Sequence, residues 1–184
     1  MDRPRRILCF GCTGSGKTTL AMQLADVLGL PLVRVDDVMF EADWQTVPQA
    51  EQRRRIEAIC AGNAWILDHA YGAWRDIPVA AADLIVAFDY PRWLSLSRLL
   101  RRTVRRVVTR ERVCNGNVET LRHQLSRESI LLWHFHSFAS KRRFVRQLEQ
   151  REAPGRLVVL RRRGDAEELV VQLSHEFRGS VSRG

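Results

Sequence analysis

The chain has 184 residues, of which 45% are hydrophobic and 28% are charged. This balance is typical of one soluble globular domain whose core is large enough to fold without disulfides or a structural metal. No apolar run approaches the roughly 18 residues of a membrane span, and the stretch before Gly11 is too short for a signal-peptide core. We therefore expect a single cytoplasmic domain over residues 1–184, with no membrane partner.

The charge is strongly basic and comes almost entirely from arginine. The net charge is +9, and two of the 30 basic residues are lysines, Lys17 and Lys141, which leaves 28 arginines. Arginine suits bidentate contacts with phosphate groups. This composition is compatible with binding either nucleic acid or a small polyanion, and charge alone does not choose between them.

Predicted strands and helices alternate along the chain. Apolar runs predict strands at residues 7–10, 32–35, 64–67, 84–88 and 157–160. Helical spacing of apolar residues predicts helices at residues 17–28, 50–61, 91–108, 121–150 and 165–177. Such alternation is typical of an α/β fold in which a parallel sheet is covered by helices on both faces.

A glycine-rich segment joins the first predicted strand to the first predicted helix. Residues Gly11–Thr18 read GCTGSGKT and fit the pattern G-x-x-x-x-G-K-T, in which glycines let backbone N–H groups point at phosphates and the helix N-terminus favours the same anion. Lys17 would bind the β- and γ-phosphates, and the Thr18 hydroxyl would bind Mg²⁺. The predicted site for ATP comprises Gly11, Thr13, Gly14, Ser15, Gly16, Lys17, Thr18 and Thr19.

Carboxylates follow three of the predicted strands. Asp36, Asp68 and Asp89 lie where an α/β sheet collects its ligands. Asp36 and Asp68 are predicted to act with Thr18 in binding Mg²⁺, or to accept a proton from an acceptor hydroxyl. The alternative is that each carboxylate caps the next helix, which is our expectation for Asp89.

Eight arginines and one acidic residue lie between residues 92 and 112. Four of these arginines form a cationic stripe on a helix that leads into a polar stretch, residues 109–119, predicted to be a lid. The stripe is predicted to stabilise the charge of a transferring phosphoryl group, and the alternative is a solvated helix face. Its members are Arg101, Arg102, Arg105 and Arg106.

The remaining chemistry-bearing residues receive simpler interpretations. Trp65 and Trp93 are predicted to be core residues, whereas Trp44 and Trp74 are candidates for lining an acceptor pocket. Cys9 and Cys12 have the C-x-x-C spacing, but no second pair completes a zinc site, so we expect reduced thiols. His134 and His136 are not expected to bind a metal.

Five segments together resemble the adenylate-kinase-like P-loop kinases, in particular the small branch often labelled topology modulation protein. Besides GCTGSGKT, they are VDDVMFEADWQTVP (Val35–Pro48), WILDHAYGAWRD (Trp65–Asp76), ADLIVAFDYPRW (Ala82–Trp93) and TRERVCNGNVETL (Thr109–Leu121). The resemblance implies a three-layer P-loop NTPase fold with a five-stranded parallel sheet in the order 2-3-1-4-5. It also implies an acceptor-binding insert over about residues 37–63 and a lid over about residues 108–120.

The resemblance also implies roles for particular arginines. Arg75 would hold the acceptor, Arg110 and Arg112 would enter the catalytic site from the lid together with Arg106, and Arg161 would flank the adenine. One departure bears on the acceptor: where such proteins commonly read Asp-Gly-Asn-Tyr, this chain reads Asp68-His69-Ala70-Tyr71. The histidine changes backbone freedom and pocket volume, so acceptor identity does not carry over.

These patterns predict an ATP- and Mg²⁺-dependent phosphotransferase that acts on a nucleoside monophosphate or a related small molecule, as a monomer or weak dimer. The alternatives are a nucleotide-dependent nucleic-acid-binding or regulatory protein, motivated by the basic charge, and a polynucleotide 5′-hydroxyl kinase. An acceptor cleft lined by Arg53, Arg54 and Arg75 would favour the polynucleotide kinase.

Overall fold

The computed structural model describes residues 3–41, 44–109, 112–113, 117–118 and 130–181. The strands in these ranges are β1 (Arg6–Gly11), β2 (Leu32–Val33), β3 (Trp65–Leu67), β4 (Leu84–Phe88), β5 (Arg112–Val113), β6 (Asn117–Val118) and β7 (Leu157–Leu160). The helices are α1 (Lys17–Leu28), α2 (Val35–Met39), α3 (Gln49–Cys60), α4 (Asp76–Ala81), α5 (Arg92–Thr109), α6 (Ile130–Arg151) and α7 (Asp165–Val181).

Five strands form one parallel sheet in the order β2-β3-β1-β4-β7. Counted along the chain among these five, the order is 2-3-1-4-5, so the predicted fold class is confirmed. β1 occupies the centre, where Arg6 lies opposite Trp65 of β3 and Ile7 lies opposite Leu84 of β4. Because the strands are parallel, their carboxyl ends meet at one edge of the sheet, and the glycine-rich segment leaves β1 at that edge.

Side chains of β1 alternate between two hydrophobic clusters, one on each face of the sheet. Ile7 and Cys9 pack on the face covered by α1 and α7. Leu8 and Phe10 pack on the opposite face, which α2, α3 and α6 cover. A strand buried on both faces must be apolar at every position, which explains why β1 reads as a continuous apolar run.

The second strand is shorter than predicted, because the chain turns into a helix before the acidic pair. β2 ends at Val33, and α2 begins at Val35. Asp36 and Asp37 therefore lie in the first turn of a helix, where the positive end of the helix dipole favours carboxylates, and not at the end of a strand. The six-residue helix α4 was not predicted at all.

The predicted lid is described in part. α5 continues to Thr109, and Arg112–Val113 then pairs antiparallel with Asn117–Val118. The remaining lid residues, and the predicted start of the next helix over residues 121–129, lie outside the described ranges.

Two tryptophans occupy environments opposite to those predicted. Trp93, expected in the core, is 64% exposed on the first turn of α5. Trp74, a candidate for a ligand pocket, is fully buried, and its indole N–H donates to Gln52 Oε1 at 3.1 Å. The segment between β3 and α4 packs Trp74 into the core on the α3 side of the sheet, and this burial is a tertiary effect with no local sequence signal.

None of the helices in the described ranges combines the length and the apolar character that a membrane crossing requires.

Candidate active site

The glycine-rich segment wraps tightly because two of its glycines adopt left-handed backbone conformations. The φ angles are +81° at Gly14 and +101° at Gly16. Gly14 also lies directly against α5, since a Cβ built there would lie 2.4 Å from the Ser95 carbonyl oxygen and 2.9 Å from Leu99 Cβ. Gly16 precedes α1 and provides no side-chain cap, so the backbone N–H groups of the first helical turn remain available to a ligand.

The Lys17 side chain lies inside the curve of the glycine-rich loop. Its ammonium donates to the Cys12 carbonyl oxygen at 2.8 Å, and the side chain is buried. Burial lowers the pKa of Lys17, while the negative charges of Asp68 and Asp36 act in the opposite direction. The lysine thus lies inside the loop, at hydrogen-bond distance from its backbone, with two carboxylates nearby.

Thr18 and Asp68 are joined directly, although 50 residues separate them. The Thr18 hydroxyl donates to Asp68 Oδ2 at 2.7 Å, and the Val35 N–H donates to Asp68 Oδ1 at 2.8 Å. Asp68 is 5% exposed, and burial raises its pKa, although both hydrogen bonds counteract that effect. The two hydrogen bonds therefore fix the orientation of the carboxylate but do not fully offset the free-energy cost of burying its charge.

Asp36 belongs to the same group of charges. The Tyr71 hydroxyl donates to Asp36 Oδ1 at 2.7 Å, and the Asp36 charge contributes to the raised pKa of Asp68. The two carboxylates predicted to act together therefore lie near each other, although Asp36 comes from α2 and Asp68 follows β3.

The arginines on the inward side of α5 coincide only in part with the predicted stripe. Arg98 Nη1 donates to the Ser15 carbonyl oxygen at 3.1 Å, and the charge of Arg102 lowers the pKa of Lys17. Arg106 follows at the same helical spacing and is partly buried, whereas Arg101 and Arg105 are exposed. Arg98 was not among the predicted site residues, although the i, i+4, i+8 spacing of Arg98, Arg102 and Arg106 is visible in the sequence.

Helix α6 contributes two residues that sequence analysis also missed. His134 is buried, and its Nδ1 lies 3.1 Å from the Thr13 carbonyl oxygen in the loop. Lys141 lies two turns further along the helix. Amino-acid composition could have indicated Lys141 as a candidate site residue, because Lys17 and Lys141 are the only lysines in the sequence. Arg142 anchors α6 at the sheet edge, since its Nε donates to Asp89 at 2.7 Å.

Arg75 and Arg161 contact residues outside this cluster. The Arg75 guanidinium lies 3.8 Å from the Phe144 ring centroid and borders a cavity of about 370 Å³ between α4 and α6. Arg161 pairs with Glu149 at 2.5 Å on the exposed surface.

Three other predicted residues stay predictions. Thr19 is exposed on α1. Arg110 lies outside the described residues, and Arg112 is described only as backbone of β5.

Both cysteines of the C-x-x-C pair are free and buried. Burial raises the pKa of the Cys9 thiol to about 12, so this residue is a core thiol with little thiolate character. Within the described ranges there is no group of three or more histidine, cysteine, aspartate or glutamate side chains that could hold a metal ion. An ion with two carboxylate neighbours and several water ligands would not require such a group.

Similarity to a curated protein sequence covers a short part of the chain. No protein-family model matches the chain. A tRNA dimethylallyltransferase from Synechococcus sp. (strain CC9902) is 46% identical over 57 residues, a match that covers 29% of this chain and 19% of that protein. The chain therefore spans about one fifth of the length of the curated relative that it matches.

Comparison with solved structures extends over almost the whole chain. A gluconokinase from Sinorhizobium meliloti 1021 has a TM-score of 0.54 and 14% identity, covering 100% of this chain and 97% of that one. A shikimate kinase from Acinetobacter baumannii has a TM-score of 0.52 and 17% identity, covering 96% and 94%. A sugar kinase from Janibacter sp. HTCC2649 has a TM-score of 0.51 and 18% identity, covering 91% of each chain. The chain thus has the fold of the P-loop kinases.

Proposed function

We propose that this protein is an ATP-dependent phosphotransferase that moves the γ-phosphoryl group of Mg-ATP to a small acceptor. The observation that carries the proposal is the pairing of Thr18 with Asp68 beside the buried ammonium of Lys17. A hydroxyl, a carboxylate and an ammonium, which are the groups that bind Mg²⁺ and phosphate in phosphotransferases, therefore lie together at the carboxyl edge of the sheet, and this supports the proposal.

The donor triphosphate would lie along the glycine-rich loop. The left-handed glycines and the first turn of α1 supply backbone N–H donors, and Lys17 would exchange its bond with the Cys12 carbonyl for phosphate oxygens. Arg98 and Arg102 of α5 border the loop and would offset the charge that develops on the γ-phosphoryl oxygens.

The residues present fit a magnesium ion. Asp68 is an oriented, buried carboxylate whose pKa is raised by burial, so a nearby cation would relieve its desolvation cost. Thr18 would provide a direct ligand, and Asp68 and Asp36 would hold ligand waters in place. When bound, the ion neutralises charge on the β- and γ-phosphates.

The transfer step requires little covalent chemistry from the protein. An acceptor oxygen attacks the γ-phosphorus and forms a new P–O bond while the bond to the β,γ-bridging oxygen breaks, and the electron pair of that bond leaves with ADP. A phosphate acceptor would arrive already deprotonated at neutral pH. A hydroxyl acceptor would transfer its proton to the Asp36 carboxylate, which Tyr71 orients.

A nucleoside monophosphate is the first acceptor class to test. The sequence segments that resemble the adenylate-kinase-like kinases support it. The three kinases that share the fold are named for gluconate, a sugar and shikimate, so they support a small acceptor in general and not this class in particular. We propose that residues 37–63 form the acceptor insert and residues 108–120 the lid. On this proposal Arg106, Arg110 and Arg112 act at the phosphoryl group, Arg75 binds the acceptor, and Arg161 flanks the adenine.

The test is a screen for acceptor-dependent release of ADP from ATP. Nucleoside monophosphates, sugars and small hydroxy acids would be supplied separately with Mg²⁺, and each signal compared with a reaction without acceptor. We expect turnover with one class that exceeds the background at least tenfold. Tight ATP binding without turnover on any of the compounds would count against a small-molecule kinase.

Replacing Asp68 with asparagine should weaken the effect of Mg²⁺ on nucleotide binding. Asparagine retains an oxygen that can accept from the Val35 N–H, so we expect the fold to persist. Loss of the negative charge should reduce the Mg²⁺-dependent gain in ATP affinity by about 10- to 100-fold, the range seen for residues that orient metal ligands. Isothermal titration with ATP, with and without Mg²⁺, measures this ratio, and an unchanged ratio would remove Asp68 from the metal site.

A nucleic-acid substrate is the second candidate. The net charge of +9 and the partial match to a protein named as acting on tRNA favour it. However, two arginines proposed to line a polynucleotide cleft already pair with acids: Arg53 Nη2 lies 2.8 Å from Asp76, and Arg54 pairs with Glu51. Binding to single-stranded RNA and DNA measured between about 50 and 200 mM salt tests this candidate. Negligible affinity at physiological salt would eliminate it.

A further inference from the structure

Several buried polar atoms in and beside the glycine-rich loop have no hydrogen-bond partner, among them Ser15 Oγ and His134 Nε2, and two further ones have no role in the arrangement described so far. They are His69 Nδ1 and Lys141 Nζ, and each is buried without a hydrogen-bond partner. Buried polar groups in proteins are nearly always hydrogen-bonded, and an unpaired buried cation is the most costly exception. Such atoms require an explanation, and an anion that accepts hydrogen bonds from both would supply one.

Lys141 lies on the face of α6 that contacts the loop. Seven residues before it, His134 Nδ1 approaches the Thr13 carbonyl oxygen at 3.1 Å. Three residues after it, the ring of Phe144 packs edge-on against Phe10 of β1, with centroids 5.2 Å apart. Residues separated by three and by seven positions share a helix face, so Lys141 lies between two contacts that hold this face against the core of the site.

His69 approaches the same place from the sheet. It follows Asp68 directly, stacks on Phe10 with centroids 6.2 Å apart, and meets the Tyr71 ring edge-on at 4.8 Å. The charges of Lys141 and Lys17 both contribute to the lowered pKa of His69, after the larger effect of burial. Phe10 thus contacts His69 and also Phe144, which lies three residues from Lys141 on the helix, so the two unpartnered side chains belong to neighbouring parts of the site.

The electrostatics of Lys141 agree with this position. Burial is the main cause that lowers its pKa to about 7, and the positive charge of Lys17 adds to the effect. The Asp36 carboxylate acts in the opposite direction but forms no ion pair with Lys141 within 4 Å. Two ammonium groups held near each other in a buried site repel, and an anion between them would convert that repulsion into attraction.

We propose that Lys141 and His69 form an anion-binding subsite, opposite Lys17, that receives the oxygens of a phosphoryl group. Lys141 would supply the charge, and a neutral imidazole with its proton on Nδ1 would donate a hydrogen bond. The inference depends on the proposed phosphotransferase function and adds Lys141 and His69 to the residues that would bind phosphate.

The phosphoryl group could come from two sources, which binding measurements separate. One is the γ-phosphoryl of the donor, and the other is an anionic group on the acceptor. The variant Lys141→Met removes the charge and keeps the length of the side chain, and Lys141→Arg keeps the charge. Arg143→Met is the matched control, because Arg143 is exposed on the same helix. The probes are ADP, the β,γ-imido analogue of ATP, and inorganic phosphate added to the ADP complex.

If the γ-phosphoryl of the donor occupies the subsite, Lys141→Met should bind the ATP analogue about 30- to 100-fold more weakly than the wild type does. Its affinity for ADP should then be unchanged. If the acceptor occupies it, the loss should appear for inorganic phosphate in the presence of ADP. Lys141→Arg should recover at least part of the affinity, and Arg143→Met should bind every probe as the wild type does. His69→Ala should show a smaller loss of about 3- to 10-fold, and His69→Asn, which places an amide near the Nδ1 position, should restore it.

Thermal unfolding separates this proposal from a purely structural role for Lys141, because a structural role predicts that Lys141→Met lowers Tm. Lys141 Nζ is buried without a hydrogen-bond partner and lies 5.9 Å from the Trp133 ring centroid, a distance at which a cation–π contact is weak. Lys141→Met should therefore raise Tm in the absence of nucleotide, by about 3–6 °C. Unchanged affinity of Lys141→Met for all three probes would overturn the subsite while leaving the phosphotransferase proposal intact. Failure of the wild type to bind ADP or the ATP analogue would instead overturn the phosphotransferase proposal itself.

Discussion

Replacing Gly14 with alanine is expected to abolish nucleotide binding and to lower Tm by about 6–12 °C. An alanine Cβ would lie 2.4 Å from the Ser95 carbonyl oxygen and 2.9 Å from Leu99 Cβ. The φ angle of +81° adds strain of about 1–2 kcal/mol. Because the closest contact is backbone of α5, either the loop or the helix must move, at a total cost of about 3 kcal/mol or more.

Gly29 provides the matched control for that substitution. It also has a positive φ, of +64°, but a Cβ at this position would meet nothing within 4 Å. Gly29→Ala should therefore carry only the conformational cost, about 1 kcal/mol in the free energy of unfolding, and should bind ATP normally. Calorimetric unfolding and ATP titration of both variants separate strain from loop geometry. A Gly14→Ala protein that binds ATP like the wild type would contradict the loop geometry described here.

Replacing Lys17 with methionine is expected to reduce kcat/KM by about 10²- to 10³-fold or more, with little loss of stability. The substitution removes the cation that would bind the β- and γ-phosphates in the transition state. It also removes one hydrogen bond to the Cys12 carbonyl, worth about 1 kcal/mol. Burial lowers the pKa of Lys17, so loss of a costly buried charge offsets much of that hydrogen bond.

The variant Lys17→Arg tests whether positive charge alone is sufficient. A guanidinium is planar and larger than an ammonium, and Lys17 is 9% exposed inside the loop. We therefore expect Lys17→Arg to be nearly as inactive as Lys17→Met. Activity would be measured as ADP release with the acceptor found in the screen, alongside far-UV circular dichroism as a check of folding. Wild-type activity in Lys17→Met would exclude the loop as the donor site.

The sequence by itself determined the sheet and the glycine-rich loop, because both depend on local chemistry. Apolar runs marked all five sheet strands, and four of these runs lie directly beside glycine, proline or aspartate. Their alternation with helices predicted the parallel architecture that the structure confirms. The loop was predictable because only glycine readily adopts the left-handed conformations at Gly14 and Gly16. The Asp68 position was also predictable, since the residue directly follows an apolar strand.

Tertiary structure alone decided which distant side chains meet the loop. Arg98, His134 and Lys141 belong to helices whose rotation about their axes depends on packing against the sheet, and charge patterns do not reveal that rotation. For the same reason the predicted stripe is divided: Arg102 and Arg106 lie on the inward side of α5, whereas Arg101 and Arg105 are exposed. The burial of Trp74 and the exposure of Trp93 likewise follow from how segments close over the core.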